Sequence, residues 1–324
     1  MGQKADSRKG TWVRVVEAVH HRVSPVKRLA VGLSGGADSV VLAEALDRLG
    51  AKPVILHFNH RWRGKSAEAD ARWVQAWGKK RKLKVVLGRA AKAGRTGEGE
   101  AREVRWKFFE KAMRAGKLQQ LWLAHQSDDQ VETVFMQLLR GAGPEGLAGM
   151  GVVSRRDSFE VVRPLLGFSR HEIRQAAREA GLTWREDRTN EDEKSWRVRI
   201  RKKVFPFLAK MYGRDVRGAL ARTAEILSGE SDYWRKEIGP IPRRPDTKIW
   251  RTKPVAWQRR AVRVWLGEQG YPGPTFHEVE GIRRLIPGGN TTFWQLRRGA
   301  GVRRTANKLF FLKQMGLIAK AFSR

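Results

Sequence analysis

The sequence predicts an α/β protein: a doubly wound parallel sheet, then a smaller, mostly helical C-terminal domain ending in a short antiparallel sheet. Three observations carry this. Short apolar runs alternate with amphipathic stretches of helix length as far as about residue 213. The first apolar run empties into a glycine-rich turn that opens a helix. Beyond residue 213 the alternation gives way to helical spacing, so the expected division is residues 1–213 and 214–324.

Residues 11–23 carry Trp12, Val15, Val16 and Val19 at helical spacing. Residues 28–33 then read as a buried strand. The turn that follows leads into an apolar stripe (Val40, Val41, Ala45, Leu46, Leu49) on a helix that Gly50 ends. Residues 53–58 form the next strand, which completes a βαβ unit and implies a parallel sheet with a right-handed crossover. A helix is expected over 66–82, a strand over 84–87, a helix over 98–115, a strand over 121–125 and a helix over 128–140. Val161-Val162 is extended, and Ser169 with Glu172 is a capping box opening a helix that ends at Gly181. In the second part, 214–238 is helical and 239–245 is a Pro/Gly linker. Two more helices follow, the second opened by Thr275 and Glu278, and segments 292–296 and 309–312 pair as strands.

The chain has 324 residues, with 66 Lys+Arg against 33 Asp+Glu and a formal net charge of +33. An excess of this size, spread along the chain, points to a folded surface for a polyanion such as nucleic acid. An Arg-rich genome would produce the same composition without any such partner. Cys is absent, which excludes disulfides, zinc–thiolate sites and clusters on protein thiols. No apolar run reaches the ~20 residues of a membrane helix, and residues 1–10 lack the apolar core of a secretory signal. A cytoplasmic protein is expected.

The turn Ser34-Gly35-Gly36-Ala37-Asp38-Ser39 carries the chemistry. It lies at the carboxyl end of a strand, where open α/β sheets bind ligands. The two glycines let the backbone approach an anion, the helix start adds N–H groups, and the serines add hydroxyls. Asp38, a carboxylate beside a phosphate site, calls for a bridging Mg²⁺. Two other matches are weak. Gly64-Lys65-Ser66 lacks the leading Gly of a Walker A loop, and Gly141, Gly143 and Gly146 follow a helix rather than a strand. His57 and His60 have no third ligand nearby, so they are not a metal pair. Asp128, Asp129 and Glu132 crowd one helical turn after a strand end. Either they form a solvated acidic helix start, or they bind a cation or an amine.

The loop resembles that of the N-type ATP pyrophosphatases, with their adenine nucleotide alpha hydrolase-like fold. Within them the chain resembles the tRNA(Ile)-lysidine synthetase family. The likeness is carried by His57-Phe58-Asn59-His60 with Arg63 and Ser66, and by Glu98, Ala101, Arg102 and Arg105. It continues through residues 124–133, Arg163-Pro164-Leu165-Leu166, Asp187-Arg188-Thr189-Asn190 and Arg197-Val198-Arg199-Ile200-Arg201. These elements follow in order over residues 29–208. The chain departs at Trp62 (usually Leu), Trp106 (usually Tyr) and Val198 (usually Asn).

The resemblance implies an ATP- and Mg²⁺-dependent ligase that joins lysine to the wobble cytidine of the isoleucine tRNA with anticodon CAU. Ser34 to Ser39 would bind ATP, and Asp38 and Asp128 the metal. Asp38, Arg102, His125, Asp129 and Glu132 would be catalytic, and Arg105, Arg197, Arg199 and Arg201 would contact tRNA or phosphate. The second domain would bind tRNA, and the sequence leaves a homodimer open. Three alternatives remain. A tRNA thiolase of the same superfamily is disfavoured by the lack of Cys. An amidating synthetase would leave the charge unexplained, and a non-catalytic RNA-binding protein would leave the intact loop unexplained.

Overall fold

The computed structural model describes residues 10–23, 28–62, 64–91, 97–156, 158–186, 195–271 and 273–313. Arg63, the Glu98 side chain and the Asp187-Arg188-Thr189-Asn190 segment lie outside the described residues. The chain divides into two compact units at Ser228/Gly229, inside a helix and downstream of the division expected after residue 213.

The first unit opens with α1 (Thr11–His20), β1 (Leu29–Gly32), α2 (Ala37–Arg48), β2 (Val54–Asn59), α3 (Lys65–Lys80), β3 (Val85–Arg89) and α4 (Glu98–Ala115). It continues with β4 (Gln120–Trp122), α5 (Ser127–Leu139), α6 (Pro144–Leu147), β5 (Val153–Arg156), β6 (Phe159–Val162) and α7 (Arg170–Glu179). Helix α8 (Trp196–Arg199) runs through a π turn (Ile200–Val204) into α9 (Phe205–Tyr212), and α10 spans Val216–Ile238.

The six strands are ordered β3-β2-β1-β4-β6-β5. All neighbours are parallel except β5 and β6, which form an antiparallel hairpin at the edge. The sheet is therefore mixed. Exposed Val153, Arg155 and Arg156 give β5 no apolar period to announce it. Alternate strand residues feed two cores. Leu29, Val31, Ile55 and Trp122 pack with α1, α2, α3 and α7 through Val19, Val41, Val74 and Ile173. Ala30, Leu56, Leu121 and Val161 pack on the other face with Trp106, Phe109 and Met113 of α4. This period-two division is why the strands read as continuous apolar runs.

The order of strands sets the site. From β1 the chain moves outward to β2 and β3, then returns to β4 on the other side of β1. The loops after β1 and β4 thus diverge at a topological switch point. Strand β4 stops at Trp122, short of the expected 125. Its neighbour β1 ends at Gly32, so the backbone beyond has no ladder on that side, and Leu123 N–H bonds only to Val162 C=O.

The second unit holds α11 (Thr247–Arg251), α12 (Val255–Glu268), α13 (Phe276–Arg283) and strands β7 (Phe293–Gln295), β8 (Gly301–Thr305) and β9 (Lys308–Leu312). The strands form an antiparallel sheet in the order β7-β8-β9. Its core is Trp250, Trp265, Leu285, Ile286, Val302 and Leu309. The Thr275–Glu278 capping box forms, as does Ser169–Glu172 in the first unit. Gly281 lies under the Trp294 indole, which a Cβ there would meet at 1.8 Å. The middle strand β8 is unannounced, because Arg303 and Arg304 interrupt its apolar character.

Candidate active site

A cleft of about 990 Å³ opens at the carboxyl ends of β1, β2 and β4, and all its lining residues belong to the first unit. The turn from Ser34 to Ser39 forms one side. Gly35 sits at φ +99°, a backbone region in which L side chains are strained. Its carbonyl accepts from Arg185 N–H at 2.8 Å. Arg185 Nε donates in turn to the buried Asp70 of α3 at 3.0 Å. The first bond of α2 runs from Val40 N–H to Gly36 C=O, so the N–H groups of Ala37, Asp38 and Ser39 precede the helical ladder, as an anion site requires.

The two serines, expected as donors to a ligand, are bonded to the loop itself. Gly36 N–H donates to Ser34 Oγ at 3.3 Å, and Ser39 Oγ donates to Gly36 C=O at 3.0 Å. Ser39 Oγ also accepts from Ser34 N–H at 3.1 Å and lies 3.0 Å from Ser34 Oγ. With the Ser39 proton on Gly36 C=O, Ser34 is the donor of that pair. The loop is thus held in shape before any ligand arrives.

The wall built by α5 is acidic. Gln126 is its N-cap, accepting from Asp128 N–H at 2.9 Å, while Asp129 Oδ2 accepts from Gln126 N–H at 3.1 Å. This capping box explains how carboxylates are tolerated at one helix start. It was not legible as such, because Gln is an uncommon cap. Asp38 is half-buried. Burial, then the Asp129 and Asp128 carboxylates, push its pKa up to about 6, against the opposing pull of Arg170 and Arg174. Among the described residues no group of three or more His, Cys, Asp or Glu side chains is placed to hold a metal ion by itself. Of the two carboxylates expected to hold Mg²⁺, Asp38 lines the cleft, whereas Asp128 is not among the lining residues, lies 4.0 Å from Arg217 Nη1 and acts on Asp38 through its charge. One or two carboxylates, with phosphate and water, are the ligand types that this ion takes.

Glu132, one turn further on, is 1% exposed and accepts from Arg201 Nε at 2.7 Å, with Arg197 Nη1 3.9 Å from its other oxygen. Burial raises its pKa, against the Arg201 hydrogen bond and charge. Of the three arginines expected to contact tRNA or phosphate from this segment, Arg201 is committed to Glu132. Arg199 lies over the Trp196 ring at 4.0 Å, and Arg197 lines the cleft. Val198 is buried, and the apolar contact of Val131 with Ile200 and Phe205 fixes the segment on α5.

The opposite wall is basic. Arg102 and Arg105 project from α4 into the cleft beside His125. His125 is half-buried, with Nδ1 enclosed and without a hydrogen-bond partner among the described residues. Burial, then Arg163, Arg105, Arg102 and Arg197, hold its pKa well below the usual imidazole value, so the ring is neutral. The motifs assign Arg163 no role in the site. It is 7% exposed and donates to Gly151 C=O at 3.0 Å and Ser154 Oγ at 2.9 Å, a buried cation facing no carboxylate among the described residues. Burial and Arg102 lower its pKa to about 10. His57 is also buried. Its Nδ1 donates to Leu33 C=O at 2.8 Å, which leaves Nε2 as an acceptor.

A phosphate-cradling loop at the switch point of a mostly parallel sheet, faced by acidic and basic walls, defines a PP-loop ATP-binding protein. Comparison with known proteins agrees. The profile of the PP-loop domain matches residues 11–208, and that of the TilS substrate binding domain matches residues 246–310. The chain is 32% identical to a tRNA(Ile)-lysidine synthase of Thermosynechococcus vestitus over 81% of its own length and 79% of the relative's. It is 31% identical to that of Geobacter sulfurreducens, over 94% and 69%. With the enzyme of Solibacter usitatus it shares 40% identity over 65% of its own length, spanning 48% of that relative. In structure it resembles the U34-tRNA thiolase NcsA of Methanococcus maripaludis, with a TM-score of 0.54 at 16% identity over 68% of this chain and 80% of the other. That likeness concerns the fold.

The chain belongs to the tRNA(Ile)-lysidine synthase family, ATP-dependent ligases that modify tRNA.

Proposed function

We propose that this chain ligates lysine to the wobble cytidine of the CAU-anticodon isoleucine tRNA, releasing AMP and pyrophosphate. The supporting observation is the juxtaposition in one cleft of the Ser34–Ser39 loop, an acidic wall and a basic wall. ATP would lie with its phosphates on the loop. The cytidine carbonyl oxygen attacks the α-phosphorus, and pyrophosphate leaves toward the N–H groups of Ala37 to Ser39. Mg²⁺ held by Asp38 and Asp128 would offset charge on the leaving group. Arg102 and the neutral His125 orient the base and the transferred phosphoryl group, while Arg105 and Arg197 add positive charge.

In the second step the lysine ε-amine, as the free base, attacks the activated ring carbon and AMP leaves. Asp129 is assigned as the proton acceptor, since Oδ2 serves the helix cap and Oδ1 faces no hydrogen-bond donor among the described residues. Glu132, its Oε1 held by Arg201, sets the charge balance that admits an ammonium group. The basic surface holds the tRNA, and a cytoplasmic location accords with ATP and tRNA as substrates. No helix among the described residues is long and apolar enough to cross a membrane.

The test is incorporation of labelled lysine into an unmodified isoleucine tRNA transcript with ATP and Mg²⁺, followed by mild alkali. Ester-bound lysine is lost there, and base-linked lysine stays. Retained label, absent with the CAU-anticodon methionine tRNA, supports the reading. AMP formation without label would leave an ATP pyrophosphatase with another nucleophile or acceptor.

A further inference from the structure

Trp196 stands at the rim of the cleft with 59% of its surface exposed. A single exposed tryptophan is ordinary on a protein surface, but three observations set this one apart. First, its position is fixed from behind. Val198 and Ile200, two and four residues on, are buried at 6% and 1% exposure, and Ile200 packs with Val131 of α5. The ring is therefore held out by an anchored segment. Second, one face of the indole is backed by the Arg199 guanidinium, 4.0 Å from the ring centroid, whose Nε is enclosed with no hydrogen-bond partner among the described residues. A cation behind a ring restrains it at no cost to its other face. Third, the ring sits within a run of cations, Arg197, Arg199, Arg201, Lys202 and Lys203, in a segment that lines the cleft.

An aromatic platform among cations matches a ligand that offers flat rings on a polyanionic backbone. Single-stranded RNA has that chemistry, and its bases stack on such rings with little regard to sequence. The adenine of ATP also offers a flat ring. ATP, however, is anchored by its phosphates at the Ser34–Ser39 loop, whereas the mostly exposed rim ring meets what arrives from solvent.

We propose that Trp196 is a positioning residue that stacks a base of the anticodon loop next to the modified cytidine, holding the strand open over the cleft. This rests on the tRNA reading above, and the test separates the two. The probe is an anticodon stem-loop of the isoleucine tRNA with 2-aminopurine replacing the base on either side of the wobble cytidine. Stacking quenches its fluorescence, and the readout needs no turnover. The wild-type protein is expected to quench the probe at one of the two positions. Trp196→Ala removes the quench and raises the stem-loop Kd and the KM for tRNA roughly tenfold, within the range for loss of one stacked base. The KM for ATP stays unchanged, and Trp196→Phe restores most of the quench.

An unchanged quench in Trp196→Ala overturns the proposal. So does a raised KM for ATP with normal tRNA binding, which would make the ring an adenine platform. A Trp196-dependent quench in a protein that forms no lysine–tRNA bond would keep this inference and remove the ligase reading. Lysine transfer with a Trp196-independent quench would do the reverse.

Discussion

Arg201 Nε donates to Glu132 Oε1 at 2.7 Å, and the carboxylate it meets is 1% exposed. The pair joins the π turn after α8 to the helix that builds the acidic wall. Removing Arg201 leaves a buried carboxylate with Arg197, 3.9 Å away, as its remaining cation among the described residues. Arg201→Ala is expected to destabilise the protein by about 3 kcal/mol, while Arg201→Ala combined with Glu132→Gln recovers most of the loss. Urea unfolding of the four proteins of this cycle checks the expectation. A loss in the double variant equal to the sum of the two single-variant losses would show that the two side chains are not coupled.

His125 stays neutral because burial and four arginines oppose its protonation. The rate of adenylation should therefore show no histidine limb between pH 6 and 8. His125→Ala should lower kcat by about 10²-fold, with the profile unchanged in shape. Arg163→Met removes one of the charges that hold the ring neutral, and should move the imidazole pKa upward. An NMR titration of His125 in both proteins reads that shift directly.

Gly35 at φ +99° and Asp38 test the loop in different ways. Gly35→Ala forces a side chain into a strained backbone region, costing about 1–3 kcal/mol locally. It should raise the KM for ATP at least tenfold. Asp38→Ala leaves the backbone alone and should abolish turnover with the fold intact by circular dichroism. Near-normal turnover in Asp38→Ala would remove this carboxylate from the chemistry.

In the second unit, Glu278 takes hydrogen bonds from Arg297, Tyr271 and the Thr275 N–H. Burial raises its pKa, but these bonds outweigh it and bring the value down to about 2, from 4.5. Because the folded form binds its proton less readily than the unfolded chain, Glu278 contributes full stability above about pH 4.5. That contribution drains away as pH falls toward 2. Thermal unfolding of Glu278→Gln should accordingly depend less steeply on pH across this window than the wild type.

tRNA affinity should fall steeply with salt, since each Lys or Arg on a phosphate releases counterions. Filter binding between 50 and 200 mM salt is expected to show a loss of roughly 10³-fold or more for six or more contacts. A flat response would reduce the +33 charge to a compositional habit.

Much of this fold was legible because its physics is local. The strands of the central sheet are apolar on both faces, the loop glycines follow a strand, and the Ser169 and Thr275 caps stand three residues before a glutamate. Strands β5 and β8 were illegible because arginines on their exposed positions break the alternation. At the site, the ligand-facing types could be read from the motifs, but the partners could not. Arg201 meets Glu132 across 69 residues, and Arg163 reaches Gly151 and Ser154 from the far side of a hairpin. Such pairings arise only when the sheet is assembled, and no periodicity encodes them.

Strands β1 and β4 are hydrogen-bonded neighbours, with Val31 opposite Trp122. The Ser34–Ser39 turn and the helix that carries the acidic wall therefore follow adjoining rungs of one ladder. Backbone pairing sets the spacing of the two strand ends from which they depart. Residues from the segments 60–62 and 195–201 line the same cleft from outside that ladder. An engineer seeking a different acceptor would leave the two central strands untouched and diversify rim positions such as Trp62 and Trp196, keeping Arg197 and Arg201 on Glu132. The bond-making geometry would then be inherited unchanged.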